Sequence, residues 1–186
     1  MYRLTRIESL AAAALLALAF DSCAPVRINS YVVRGLDFQQ YRTYAWGPSD
    51  AFSTGDPRLD NNRIVSERIA KSVDQQLASR GFEKRESGVA DVLIHMHVRL
   101  DQRIESDAID REYARCEVSD CRPYVYDAGT LLLDFIDTRT NQLAWRGWAE
   151  GGFDGVIDNQ DWMEARIDDA VAKILARLPR DTSRNR

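Results

Sequence analysis

The sequence lacks an excess of positive charge, which is the usual mark of a nucleic-acid-binding domain. Its 186 residues include 25 lysines and arginines against 29 aspartates and glutamates, which gives a net charge of −4. A basic surface for DNA or RNA is therefore not expected, and nucleic acid is not among the predicted partners. The arginines close to the C-terminus fall in a polar stretch, and we interpret residues 181–186 as a disordered tail.

Sequence motifs that carry catalysis are also missing. The chain contains no Gly-x-Ser-x-Gly, no glycine-rich phosphate-binding loop and no His-Glu-x-x-His. The acidic stretch GGFDGVIDNQD lacks the alternating carboxylates of an EF-hand loop, so calcium is not expected there. The sequence thus predicts a protein that is not an enzyme and that has no cofactor and no resident metal.

Long apolar runs are scarce, and the clearest one lies at the N-terminus. Residues 11–20, AAAALLALAF, follow two arginines and are too few to span a bilayer, so residues 1–22 are predicted to be a secretory signal peptide. The whole chain is 45% hydrophobic and 29% charged, a composition typical of a globular protein. We therefore expect one exported domain over residues 23–180.

Cys23 directly follows this apolar segment and is the predicted lipidation site. Phe20, Asp21 and Ser22 precede it, and the aspartate departs from a typical lipobox. The open alternative is cleavage after Ala19, which would give a soluble protein that begins at Phe20. With lipidation, the protein is expected to face the periplasm and to be held on the outer membrane by an N-terminal lipid anchor.

The other two cysteines, Cys116 and Cys121, lie close together in a polar stretch. Export places them in an oxidising compartment, where a local disulfide between them is the predicted state. A zinc site would need a second cysteine pair or a histidine pair at zinc-finger spacing, and the sequence has neither.

The first of two helical segments follows Asp60, its expected N-cap. Gly81 is the expected left-handed residue at its C-terminal end, with Phe82 folding back on Leu77. Its apolar residues recur at every fourth position: Val65, Ile69, Val73 and Leu77.

The second helical segment is expected to begin with Asp161 and Glu164 as a capping box and to end at Pro179. Its apolar stripe comprises Met163, Ile167, Val171, Ile174 and Leu178. Each helix is thus apolar on one side only, and both are expected to lie on a sheet.

Five strands complete the prediction. They are Val26–Arg34, Arg42–Trp46, Ala90–Gln102, Gly129–Asp137 and Leu143–Glu150. The element order is β-β-α-β-β-β-α, and the last two strands form a hairpin. The predicted fold class is α+β, with an antiparallel sheet that carries both helices on one face. The polar stretch from Asp101 to Arg122 is predicted to be a long loop.

The only two histidines, His95 and His97, lie in the third strand. Alternation places them on the outer face of the sheet, away from the helices, with Cα atoms about 7 Å apart. Two imidazoles at this spacing can bind one zinc ion, although a third ligand is required. The neighbouring strands offer Asp134, Arg146, Trp148 and Glu150 on the same face, provided that Leu133, Phe135, Leu143 and Trp145 point inward. Because that set is no metal cage, solvated histidines are the favoured interpretation, and Trp145 is expected in the core.

Several phrases of the sequence occur together in a known family. They are LDFQQYRTYAWGP, GVADVLIHMHV, DAGTLLLDFIDTRTNQLAWRGWAE and RIDDAVAKILARLP. Together with the helix after DPRLD, these phrases resemble the bacterial lipoproteins grouped as domain of unknown function 4136, over nearly all of the mature chain. The resemblance implies a cell-envelope lipoprotein of a Gram-negative bacterium, with no established activity, cofactor or catalytic residue to carry over.

The favoured function is therefore that of a non-catalytic envelope lipoprotein. It is expected to bind another envelope component, a protein or a glycan, through the outer face of the sheet or through the long loop. The alternative is a metal-dependent periplasmic hydrolase centred on His95 and His97.

Overall fold

The computed structural model describes residues 26–48, 54, 60, 63–86, 89–105, 124–153, 156 and 158–179. The predicted signal peptide, the three cysteines and the predicted tail lie outside these residues. This described part of the chain contains six strands and two helices: β1 (Arg27–Val32), β2 (Thr43–Trp46), α1 (Arg63–Ser79), β3 (Glu83–Lys84), β4 (Val92–Glu105), β5 (Tyr124–Asp137), β6 (Gln142–Gly152) and α2 (Gln160–Leu175). A short 3₁₀ turn, Phe38–Gln40, precedes β2.

Helix α1 buries the predicted apolar stripe and ends as the sequence indicates. Gly81 has a φ of +83°, and the N–H groups of Phe82 and Gly81 each donate a 3.0 Å hydrogen bond, to the carbonyls of Leu77 and Ala78. This pair of bonds is the Schellman motif, so the predicted C-terminal end is confirmed. Asp60, the predicted N-cap, accepts hydrogen bonds from the backbone N–H and the hydroxyl of Thr54.

The N-cap of helix α2 lies two residues before the predicted one, and the assignment of Asp161 as N-cap is wrong. Asn159 is the N-cap, because its extended backbone carries a side chain that accepts the N–H of Trp162 and a carbonyl that accepts the N–H of Met163, each at 3.0 Å. Asp161 instead lies in the first turn, where its negative charge interacts favourably with the positive end of the helix dipole. The predicted stripe along the helix is buried.

The sheet is mixed, which corrects the prediction of a purely antiparallel one. Its strand order is β1-β6-β5-β4-β2-β3. β2 pairs in parallel with both β3 and β4, and the other pairs are antiparallel. α1 is the crossover that returns the chain to the end of the sheet where β2 begins, so β3 and β4 run in the direction of β2. β3 went unpredicted because it has only two residues.

Both helices pack on the same face of the sheet, as predicted. Their buried residues form one hydrophobic cluster with the inward residues of β2, β4, β5 and β6. Trp145 is 1% exposed, and its ring meets that of Phe135 edge to face, with centroids 5.2 Å apart. The prediction that Trp145 belongs to the core is confirmed.

A β-bulge in β6 reverses one predicted orientation. The pairing skips from Phe135 opposite Trp145 to Ile136 opposite Leu143, which leaves Ala144 as the extra residue. Ala144 and Trp145 are consequently both buried. Because directly opposed residues share a face, Leu143 lies with Ile136 on the outer side, so its predicted inward direction is wrong.

Candidate functional site

The face of the sheet opposite the helices is the candidate site. We define this outer face by the central residues of four neighbouring strands: Tyr31 of β1, Arg146 and Trp148 of β6, Leu132 and Asp134 of β5, and His95 and His97 of β4. The alternation along β4 confirms that both histidines lie here, because Val92 and Ile94 on the opposite side are fully buried.

One row of directly opposed residues crosses the middle of the outer face. It runs from Tyr31 through Arg146 and Asp134 to His95. Arg146 donates two hydrogen bonds to Asp134, from Nε to Oδ1 and from Nη2 to Oδ2, both 2.6 Å long. The Asp134 hydrogen bond raises the pKa of Arg146 above its ordinary value. A bidentate pair of this kind fixes the guanidinium plane.

Asp134 is 5% exposed although it belongs to the outer face. Its neighbours along and across the strands cover it, and a buried carboxylate is costly unless it is paired. Arg146 provides that pairing while keeping 42% of its own side chain exposed. The pair therefore presents a positively charged, rigid group to solvent at the centre of the face.

His95 lies beside a glycine of the adjacent strand segment. A Cβ atom at Gly47 would overlap the imidazole of His95, so only glycine leaves room for this ring position. The carboxylate opposite His95 in the register is Asp134, which is bound to Arg146. Among the residues that the structure describes, no group of three or more His, Cys, Asp or Glu side chains is placed to hold a metal ion.

A second row carries aromatic and aliphatic side chains. Asn29, Trp148, Leu132 and His97 are opposed in turn. Tyr31, which is 54% exposed, lies diagonally next to Trp148. In the next row along the strands, Glu150 forms an ion pair with Arg103, with 3.6 Å between Oε2 and Nη1. The outer face thus combines tyrosine, tryptophan and arginine, which are the residue types enriched at the energetic centres of protein interfaces.

The sequence alone did not identify Tyr31 or Asn29 as part of this face. Their strand was predicted, but its place beside β6 depends on pairings between residues far apart in the sequence, such as Asn29 with Trp148. The available signal was the alternation of Ile28, Ser30 and Val32 with them. Trp148, Arg146 and Asp134 were correctly expected on the outer face.

Three predicted site residues remain untested by the geometry. Cys23, the lipidation site, and Cys116 and Cys121, the disulfide pair, all lie outside the described residues. Within the described part of the chain, no helix is long and apolar enough to cross a membrane.

The comparisons with known proteins give the family and the fold. No curated protein matches the chain in sequence. A PDZ domain protein from Parabacteroides distasonis has a similar structure, with a TM-score of 0.54 and 14% identity over 94% of this chain and 41% of that protein. The PelC dodecamer from Paraburkholderia phytofirmans matches with a TM-score of 0.43 and 9% identity, over 85% of this chain and 100% of that one.

This chain thus spans less than half of the Parabacteroides protein, and that likeness shows the fold alone. The family is shown by sequence: the chain belongs to the family described as Domain of unknown function (DUF4136), which matches residues 28–180.

Proposed function

We propose that this DUF4136 protein is a non-catalytic lipoprotein of the cell envelope that binds another envelope component, a protein or a glycan, through the outer face. The lipid on Cys23 anchors it to the outer membrane, with the domain facing the periplasm. The observation that carries the proposal is the exposed Tyr31 beside Trp148 and the Asp134-bound Arg146, on a sheet face that neither helix covers.

The composition of the outer face favours binding over simple solvation. A solvated sheet face needs only small polar residues, but this one holds large aromatic rings and a fixed guanidinium. Arg146 loses little side-chain entropy when a partner covers it, because Asp134 already holds its guanidinium in place, and tyrosine and tryptophan have only two rotatable side-chain bonds each. A rigid aromatic and arginine surface therefore binds with a smaller entropic cost than a lysine-rich one.

The hydrolase alternative has less support. His95 and His97 supply two ligands, and the nearest carboxylate in the register, Asp134, is already held by two hydrogen bonds to Arg146. Recruiting Asp134 to a metal would leave the guanidinium without its partner. We therefore retain the non-catalytic proposal, and a zinc-dependent rise in the Tm of the wild-type protein would favour the hydrolase instead.

The anchor is tested by replacing Cys23 with serine. The wild-type protein should sediment with outer membranes, and mass spectrometry should find an acylated Cys23 as its first residue. Cys23→Ser should move the protein to the soluble periplasmic fraction, whereas Ser22→Ala, as a neighbouring control, should not. A mature N-terminus at Phe20 would contradict the anchor and leave the binding proposal standing.

The binding face is tested with a photo-crosslinking amino acid in intact envelopes. The label replaces Tyr31 on the outer face or, as a matched control, Trp162, which is 64% exposed on α2. We expect a discrete product from position 31 only, and excess unlabelled domain should suppress it. Protease digestion of the product distinguishes a protein partner from a glycan. Equal products from both positions, or none from position 31, would contradict the proposal.

A further inference from the structure

An apolar cleft opens between the two helices and the inner face of the sheet, at the end where β5 enters and β6 leaves. Its volume is about 580 Å³, counted to include the open mouth. The cleft is separated from the outer face by the sheet itself, so it is a second site.

The walls of the cleft are almost entirely hydrocarbon. Valine, isoleucine, leucine and alanine side chains line it, with Phe153 as the aromatic member; they include Val65 and Ile69 of α1, Val98 and Leu100 of β4, and Ile167 and Ala170 of α2. Arg166 is the one charged residue of the lining whose side chain is on the helix side of the sheet, since Glu150, which also borders the cleft, pairs with Arg103 on the outer face. A polar ligand would lose its hydrogen bonds to water inside such walls, whereas a hydrocarbon would not.

Glycines keep this end of the inner face open. Gly129 and Gly151 occupy inward positions of β5 and β6 that carry larger residues further along the strands. A Cβ atom at Gly129 would lie 3.1 Å from the ring of Phe153, and one at Gly151 would lie 3.3 Å from Val26. Longer side chains at these positions would project into the cleft and fill it.

The cleft lies beside the N-terminal end of β1. Val26 lines it and is the first residue that the structure describes. Cys23 is three residues upstream of Val26, and three residues of fully extended chain span about 11 Å at most. Hydrocarbon attached to Cys23 can therefore reach the mouth of the cleft, and so can a chain of a neighbouring membrane lipid.

We infer that this cleft binds a single hydrocarbon chain of a lipid. The walls recognise the chain by apolar burial, and each methylene that enters strengthens binding by about fourfold until the cleft is full. The inference does not depend on the outer-face partner. The binding experiment uses protein without an anchor, so it remains informative even when Cys23 is not acylated.

The test uses the purified Cys23→Ser protein and the fluorescent fatty acid cis-parinaric acid. Binding should be saturable at one probe per protein, and palmitate should displace the probe more effectively than decanoate does. Leu100→Trp fills the cleft from β4 and should weaken binding by more than about tenfold, since it displaces several methylenes of the ligand. Leu93→Trp is the matched control, because Leu93 lies on the same strand but on the opposite face.

Thermal melts guard against a folding artefact. Palmitate should raise the Tm of the Cys23→Ser protein and of Leu93→Trp in the same background, but not that of Leu100→Trp. Val98→Phe, a second cleft-filling change at a half-buried position, should behave like Leu100→Trp. Absence of saturable probe binding, or equal binding by Leu100→Trp and Leu93→Trp, would overturn the inference.

Lipid extraction and mass spectrometry then identify the source of the chain. One co-purified lipid per Cys23→Ser protein, lost in Leu100→Trp, indicates a free membrane lipid. A cleft that is empty in the Cys23→Ser protein, but closed to cis-parinaric acid in the acylated wild-type protein, indicates the acyl chain carried by Cys23. Either result supports a hydrocarbon site.

Discussion

The hydroxyl of Tyr41 donates a 2.8 Å hydrogen bond to Oδ2 of Asp137, a residue 96 positions away, and both side chains are buried. Asp137 also accepts the backbone N–H groups of Arg139 at 2.8 Å and Thr140 at 3.2 Å. Burial raises the pKa of Asp137, but these hydrogen bonds, the one from Tyr41 first, lower it below its ordinary value overall. The contact ties the segment before β2 to the β5–β6 turn.

Tyr41→Phe tests this tie. The variant leaves a buried carboxylate short of one donor, and we expect a loss of about 1 to 3 kcal/mol in the free energy of unfolding at pH 7. The folded pKa of Asp137 is lower than the unfolded value of about 3.9, so its contribution is present above that value and is lost as the pH falls through the folded pKa. Urea unfolding between pH 7 and pH 3 should therefore show a shallower pH dependence in Tyr41→Phe than in wild type.

The same variant has an opposite signature in alkali. Burial, followed by the hydrogen bond to Asp137, raises the pKa of Tyr41 to about 12. A raised folded pKa gives stability that is complete below the unfolded pKa of about 10 and is lost as the pH rises towards the folded one. Wild type should thus lose stability between these values, and Tyr41→Phe should lose less. Parallel curves for the two proteins at both ends of the pH range would contradict the coupling.

Gly147 is predicted to be irreplaceable for a steric reason. A Cβ atom there would overlap the indole of Trp145 and approach Ile174 of α2 to 2.7 Å. Because both neighbours are fully buried, we expect Gly147→Ala to cost about 1 to 3 kcal/mol through overpacking. Gly152→Ala is the control, since a Cβ atom at Gly152 would meet nothing within 4 Å. Denaturant unfolding that ranks the two variants equally would contradict this packing.

Local patterns in the sequence predicted the local structure well. The spacing of Leu77 and Gly81 gave the end of α1, and the alternation around His95 gave the two faces of β4. The sequence did not predict the features that depend on pairing between strands far apart in the chain. The parallel β2 and the place of β1 beside β6 depend on which strands meet, and the bulge at Ala144 depends on how β6 fits β5. The outer face was therefore predicted in part, without Tyr31, and the cleft was not predicted at all.

The disulfide between Cys116 and Cys121 stays a prediction. So short a ring contributes at most about 2 to 3 kcal/mol in the chain-entropy account, and its effect is local. Alkylation of the unfolded, unreduced Cys23→Ser protein should label neither cysteine, and the same reaction after reduction should label both. Labelling at either position before reduction would show that the pair is not bonded.

The zinc experiment distinguishes the binding protein from the hydrolase. Two imidazoles without a committed third ligand should hold zinc only weakly, because structural and catalytic sites use three or four protein ligands. His97 is exposed and His95 is half-buried on the outer face. The double variant His95→Ala, His97→Ala should therefore change the free energy of unfolding by less than about 0.5 kcal/mol, as surface substitutions usually do.

Ile94, the residue between Leu93 and His95, provides the contrasting control. It is fully buried against the helices, and Ile94→Ala should cost about 2 to 5 kcal/mol through the cavity it leaves. Met96→Ala should cost less, because Met96 is only half-buried. Thermal melts of these variants with and without zinc test both the weak zinc binding and the difference in stability between the histidine and the core variants. A zinc-dependent rise of several degrees in wild type, absent from the double histidine variant, would restore the hydrolase hypothesis and remove the main argument for a non-catalytic protein.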